Sequence, residues 1–462
     1  MRATAFVAVL FLLPVLQGHQ QQDGAVNAES TGGIDPKTIA AWEKAGAHFG
    51  WLSQEKLIVF PTFSQVRPQD PDALPGFQGK GRIPRGLENL PAPAVPFGLD
   101  CGEWWATGED LKQLARFQEL QELRLGWNGP NDVGLEELGT LKQLRSLFLN
   151  GGNVTDASLK ALAGLQQLQT LSLAGMLNLT DAGLKGLAGL KQLRTLCFNS
   201  PKVGDEGLKA LAGLKQLRTL AVRETNISDA GLKYLGRLEK LEMLDLGSTK
   251  IGGAGLKDLA GLQQLQTLSL GGTQITGAGL KNLAGLKQLR MLILGGSKIN
   301  DAGMKELAEL QQLQTLWLHS ASISDSGLKE LAALSQLRTL ELEGAHIGDK
   351  GLTGLAKLEH LQSLNLGRTE VTDAGLKELA GIQQLQSLCI HDNRISDEGL
   401  RALAGLKQLR TLTLGGTQIT DAGLEVLAGL KQLQHLTLHQ TPTTAIGKAK
   451  LQKALPKCQI LG

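Results

Sequence analysis

Pairs of apolar residues separated by one position recur along most of the chain at a nearly constant interval. The second member of each pair falls at Leu125, Leu149, Leu173, Phe198, Val222, Leu246, Leu270, Leu294, Leu318, Leu342, Leu366, Ile390, Leu414 and Leu438. Every step is 24 residues except one of 25, where an extra residue enters the loop 174–179. A fixed period of this length marks a stack of supersecondary units, each able to bury its apolar face only against its neighbours. One unit, 417–441, shows two periodicities. Leu436-Thr437-Leu438 alternates with period two and predicts a short strand, whereas Leu424, Leu427, Ala428 and Leu430 share one helical face. Strand and helix therefore alternate, with the helix as the crossover that a parallel sheet requires.

The helix starts are marked as well. Thr420-Asp421 supplies capping side chains, and Asp recurs at 181, 205, 229, 301, 325, 373 and 397. Each aspartate is expected to accept hydrogen bonds from the free N–H groups of its own first turn, and Gly253 and Gly277 show that the column tolerates loss. A second column holds Thr225, Thr249, Thr273, Ser297, Thr369, Asn393, Thr417 and Thr441, three residues after the strand. These side chains are expected to satisfy backbone groups where the chain leaves the sheet.

The pattern L-x-x-L-x-L-x-x-T-x-I-T-D-A-G-L-K-x-L-A-G resembles the leucine-rich repeat of large exported bacterial families, and its Thr-Asp-Ala-Gly-Leu stretch is similar to repeats of F-box substrate receptors. The resemblance covers about residue 97 to the C-terminus. It implies an α/β solenoid, a curved horseshoe of about 14 repeats with a concave parallel sheet and convex helices. No F-box is identifiable, which argues against a ubiquitin-ligase receptor.

A stacked array exposes apolar faces at its ends, so caps are expected. Asp35-Pro36 starts a helix through about Ala47 that carries Ile39 and Trp42 on one side. Leu57–Phe60 is apolar, and eight of the 14 prolines follow between Pro61 and Pro96. That density predicts an extended connector rather than helix or interior strand. Phe97-Gly98-Leu99 reads as a degenerate first strand with Trp104 and Trp105 to cover it; Lys448–Leu455 reads as a last helix and Cys458-Gln459-Ile460 as a closing strand. The domain boundaries are then 1–18 for a signal peptide, 19–96 for the capping helix and connector, 97–441 for the array and 442–462 for the C-terminal cap.

Composition supports an array over an ordinary core: Gly reaches 58 of 462 residues while aromatic residues fall to 4%. With 47 basic and 44 acidic residues the charge is nearly balanced and leaves no footprint for nucleic acid. Lys185, Lys209, Lys233, Lys257, Lys281, Lys305 and Lys329 are copies of one solvated repeat position. Met1 and Arg2 precede the apolar run Ala3–Leu16, which suits a signal peptide cleaved near Gly18 and leaves no integral membrane segment. The expected product is a monomer, either secreted or held in the periplasm or cell envelope. Of the four cysteines, Cys197 and Cys389 hold the same repeat position eight repeats apart, roughly 38 Å at strand spacing, and cannot bond. Cys101 and Cys458 belong to opposite ends of the array.

No G-x-S-x-G elbow, H-E-x-x-H helix, C-x-x-C pair or phosphate-cradling glycine loop stands in a suitable context, so no catalysis, cofactor or metal is expected. The repeat leaves free only the outward strand residues, which alternate with the buried leucines. Gly247, Gly271, Gly272, Gly295 and Gly296 leave the middle of that surface bare. Later repeats place Met291, Ile293, Trp317, His319, Glu341, Glu343, Asn365, Arg368, His391, Asp392, His435 and His439 there. His319, Glu343, His391 and His439 share a column, but members two strands apart lie roughly 9.6 Å from each other, too far for a metal site. Met291, Ile293 and Trp317 instead form an apolar patch in a polar rim, the plan of a protein interface. The expected function is non-catalytic binding of a protein or peptide on the concave face. The alternatives are a cell-envelope spacer, an F-box-like receptor, and an enzyme with an unrecognised site in residues 23–96.

Overall fold

The computed structural model describes residues 31–53, 62–79, 87–102, 107–126, 134–151 and 154–462. The expected signal peptide, Leu57–Phe60, Trp104 and Trp105 lie outside these residues. Two compact units divide between Val222 and Arg223.

In the first unit, the helix Pro36–Lys44 begins at Asp35, whose carboxylate accepts the N–H groups of Lys37 and Thr38. Trp42 is fully buried, stacks on Phe77 at 4.6 Å between centroids and donates its Nε1–H to the Pro91 carbonyl at 2.9 Å. The helix thus anchors the first layers through an aromatic cluster in which Trp42 meets both Phe77 and Phe117. β1 (Ala47–Ser53) pairs antiparallel with β2 (Thr62–Ser64) and β3 (Leu74–Gly79). The proline-bearing stretch is therefore more than the expected connector, and Pro75 stands inside β3. It is tolerated because the ladder to the next strand starts only at Gly76, so no donor is required of Pro75 on that side. From β3 onward the pairing is parallel through β4 (Phe97–Cys101), β5 (Leu120–Leu125), β6 (Ser146–Asn150), β7 (Thr170–Ala174), β8 (Thr195–Phe198) and β9 (Thr219–Ala221). The expected degenerate first strand is β4.

The second unit is parallel throughout. Its strands are β10 (Met243–Asp245), β11 (Thr267–Ser269), β12 (Met291–Ile293), β13 (Thr315–Trp317), β14 (Thr339–Glu341), β15 (Ser363–Asn365), β16 (Ser387–Cys389), β17 (Thr411–Thr413), β18 (His435–Thr437) and β19 (Gln459–Leu461), each paired with the next. One-turn to two-turn helices connect them, such as Asp373–Leu379 and Asp397–Leu403. The leucines of both elements meet between them and are wholly buried, Leu268, Leu270, Leu280 and Leu283 among them.

The helix starts differ from expectation. The Ser or Thr caps its own helix, as Thr372 does by accepting the Ala374 N–H. The aspartate after it reaches into the next repeat: Asp349 accepts the Thr372 N–H at 2.8 Å and the Thr372 hydroxyl at 2.7 Å. Asp373 holds Ser396 in the same way, Asp397 holds Thr420, and Asp421 holds Thr444. The hydroxyl takes one N–H of its own turn, and the carboxylate reaches the N–H and hydroxyl of the following cap. Hydrogen bonds from Thr444 hold the Asp421 carboxyl below the usual carboxylate range. The series lapses at Gly253 and Gly277, which have no side chain to extend. There the backbones close up instead, for a Cβ on Gly279 would stand 2.8 Å from the Gly253 Cα, and one on Gly303 2.8 Å from the Gly277 Cα.

The hydroxyl column behaves as expected. Thr249, Thr273, Thr369, Thr417 and Thr441 each donate to the carbonyl three residues back, at 2.6 to 2.8 Å. None of the four cysteines forms a disulfide.

Candidate functional site

The sheet of the second unit has one face that the helices leave uncovered, and alternation sends to it the residues that flank the buried leucines, such as Met291, Ile293 and Gly295. In register, one row reads Asp245, Ser269, Ile293, Trp317, Glu341, Asn365, Cys389 and Thr413. Two residues further along each strand lie Gly247, Gly271, Gly295, His319, Glu343, Gly367, His391, Gly415 and His439. The turn that follows requires a left-handed residue. Gly272, Gly296, Gly344 and Gly416 supply it at no steric cost, whereas Ser320, Arg368 and Asp392 adopt φ of 54° despite their side chains.

Among the expected site residues, Glu343, Arg368, His391 and Asp392 come together. Arg368 lies 3.1 Å from Asp392 and 3.7 Å from Glu343, and His391 Nε2 lies 3.6 Å from Glu343 and 3.9 Å from Asp392. The His391 ring rests on bare Gly367, where a Cβ would collide with it. Glu341 is hydrogen-bonded to Asn365, yet burial dominates and lifts its carboxyl above the ordinary value. The His319 imidazole is held below its usual pKa, chiefly by burial and with help from the Arg223 charge, against the opposing pull of Glu343. His319 and His439 stay outside the four-residue charge cluster, and no three His, Cys, Asp or Glu side chains among the described residues could hold a metal.

The apolar patch differs from expectation in one member. Met291 and Trp317 are half-buried, but Ile293 is only 4% exposed, because it stands in register between Ser269 and Trp317 and leans toward bare Gly271. Trp317 keeps its Nε1–H out of solvent and without a hydrogen-bond partner.

Sequence reasoning missed two features. Cys389 Sγ lies 3.0 Å from His391 Nδ1, a pairing signalled in the sequence by their i, i+2 spacing on one strand face. Burial pushes the Cys389 thiol up, with Glu341 and Glu343 adding to the effect, so the pair holds a thiol rather than a nucleophilic thiolate. Arg223, ion-paired with Asp245 at 3.3 Å, was the other omission.

The first unit carries its own charged group on the corresponding face. Asp100 accepts Gln78 Nε2 at 3.0 Å and the Gly102 N–H at 2.8 Å and meets Arg124 at 3.5 Å. Beside them Glu122 is 6% exposed with Oε1 unpaired, and burial, aided by Asp100, pushes its carboxyl up to about 8.

A family model for a leucine-rich repeat region matches residues 208–460, more than half of the chain. The protein belongs to the leucine-rich repeat family. Among solved structures, a leucine-rich repeat protein from Leptospira interrogans is similar with a TM-score of 0.56 at 26% identity, covering 82% of this chain and 92% of that one. An internalin from Listeria monocytogenes gives 0.53 at 26% identity, over 71% and 88%. The mouse RP105/MD-1 complex gives 0.53 at 19% identity, over 81% and 72%, a likeness of fold alone. Among curated proteins none matches the chain. No helix among the described residues is long and apolar enough to cross a membrane.

Proposed function

We propose that this leucine-rich repeat protein is an exported, non-catalytic scaffold that binds a protein or peptide on the helix-free face of its second unit. The observation that carries the reading is Trp317: a half-buried indole with an unpaired N–H, flanked by Met291 and Ile293 on one side and by Glu341 and Glu343 on the other. The leucine stack needs none of these side chains, and an aromatic anchor within a polar rim is the usual energetic centre of an interface. Arg368 and Asp392 point the same way, since both occupy left-handed positions that glycine fills without strain in sister repeats. Trp317→Ala should leave the thermal melt within a few degrees of wild type and weaken a verified partner by about 2 kcal/mol or more. Equal affinity of both proteins for that partner rejects this face as the binding surface.

A further inference from the structure

Between Arg223 and His319 the same face has a bare floor. Gly247, Gly271 and Gly295 follow one another in three consecutive repeats, and the long side chains at either end lie down on the outer two. A Cβ on Gly247 would collide with the Arg223 guanidinium, and one on Gly295 with the His319 ring. Above Gly271 the nearest side-chain atom to such a Cβ is Ile293 Cγ2, at 3.7 Å. A slot thus opens between a guanidinium and an imidazole, with peptide backbone as its base. Asp245 fixes one edge of the guanidinium and is itself held by the Gly247 N–H at 3.0 Å.

Two donors beside the slot lack partners. Ser269 is 3% exposed and its hydroxyl makes no hydrogen bond; the Trp317 Nε1–H is likewise buried and unpaired. Native structures leave few such groups unsatisfied, because each forfeits its hydration with nothing in return. Their strands are two apart, roughly 9.6 Å, a span that about three residues of extended chain cross. The polar side chains around the slot, Arg223, His319, Ser269 and Trp317, offer a proton or positive charge, and the one acid, Asp245, is already engaged by Arg223. Beyond Trp317 the sign reverses at Glu341 and Glu343.

We propose that this glycine-floored slot binds an extended polypeptide segment bearing a carboxylate side chain, with the carboxylate between Arg223 and His319 and neighbouring acceptors meeting Ser269 and Trp317. Glu341 and Glu343 repel the carboxylate from the far side of the indole and so fix the direction in which the segment lies. The inference rests on the binding reading above and adds the chemistry of the partner.

The test uses the full chain and fluorescein-labelled hexapeptides of alternating Asp and Leu, Asn and Leu, or Lys and Leu, followed by anisotropy at about 0.15 M salt, where non-specific charge effects are screened. The Asp peptide should bind at least tenfold tighter than the Asn peptide. The paired change Arg223→Gln with Asp245→Asn, which leaves no uncompensated acid, should abolish that preference, as should Gly271→Leu, which fills the slot; melts matching wild type show that both variants fold. Equal binding of the Asp and Asn peptides, a preference for the Lys peptide, or a preference for Asp unchanged in both variants would overturn the carboxylate site. If the peptides bind equally and Trp317→Ala weakens both, the slot falls while the binding face stands; binding that depends on neither Trp317 nor Arg223 removes both.

Discussion

Glu122 shows how a single residue can go against the repeat that carries it. Sister repeats place Ser or Thr in its row, as at Ser146 and Thr170. The buried carboxyl keeps its proton up to about 8 in the folded protein, against 4.5 as its ordinary value. Its contribution to stability is therefore fully present below 4.5 and lost as pH rises through about 8. Glu122→Gln should flatten the fall in melting temperature between pH 5 and pH 8.5, with a gain at the alkaline end on the order of 4 kcal/mol. Identical pH profiles for the two proteins would show that the carboxyl ionises freely. The left-handed turn residues are a second case: Ser320→Gly should stabilise by about 0.5–1 kcal/mol in chemical denaturation, relief of strain outweighing the added freedom of the unfolded chain. These features were hidden in the sequence. A glutamate in an outward row reads as solvated, whereas in the fold it is enclosed; likewise nothing in the letters of Ser320, Arg368 or Asp392 announces a positive φ. The identity of the outward residues was legible, because strand alternation follows from leucine spacing alone. Their mutual contacts were not, since side chains such as His391 lie back over a glycine of the preceding repeat rather than standing upright.

At the scale of the element, the repeat period gave the fourteen strands β5 to β18 and their crossovers, because 24-residue spacing leaves each leucine only one partner column. It could not reveal which repeat an aspartate serves. Asp373 is adjacent to its own capping residue in sequence, and only the stacking distance brings it within reach of Ser396. Asp373→Ala should cost about 1–2 kcal/mol and loosen amide protection at the helix Asp397–Leu403, two signs that hydrogen exchange and denaturant melts together report. Protection lost instead within Asp373–Leu379 would mean that the aspartate caps its own helix after all. The antiparallel pairing of β1 with β3 was illegible for a different reason. Proline density reads as connector, and the one-residue offset that excuses Pro75 is a property of the register rather than of composition.

For the molecule as a whole, stability rests on neighbour contacts, so damage to one layer spreads to the layers beside it. Leu270, wholly buried directly after β11 in the second unit, is a sensitive point. Leu270→Asp should cost several kcal/mol, on the order of a severe core mutation, by burying an unpaired charge, and unchanged protease resistance would contradict the assigned register. The layers are not equally bound, however. Between Asp229 and Asp301 the carboxylate bridges are missing at Gly253 and Gly277, and close backbone approach stands in their place. Dispersion contacts of that kind fade within a fraction of an ångström, whereas a charged hydrogen bond yields more gradually. Under tension along the stack, the second unit should therefore tear first between residues 253 and 303, a preferred breaking point that optical-trap extension traces would place by the length of chain released.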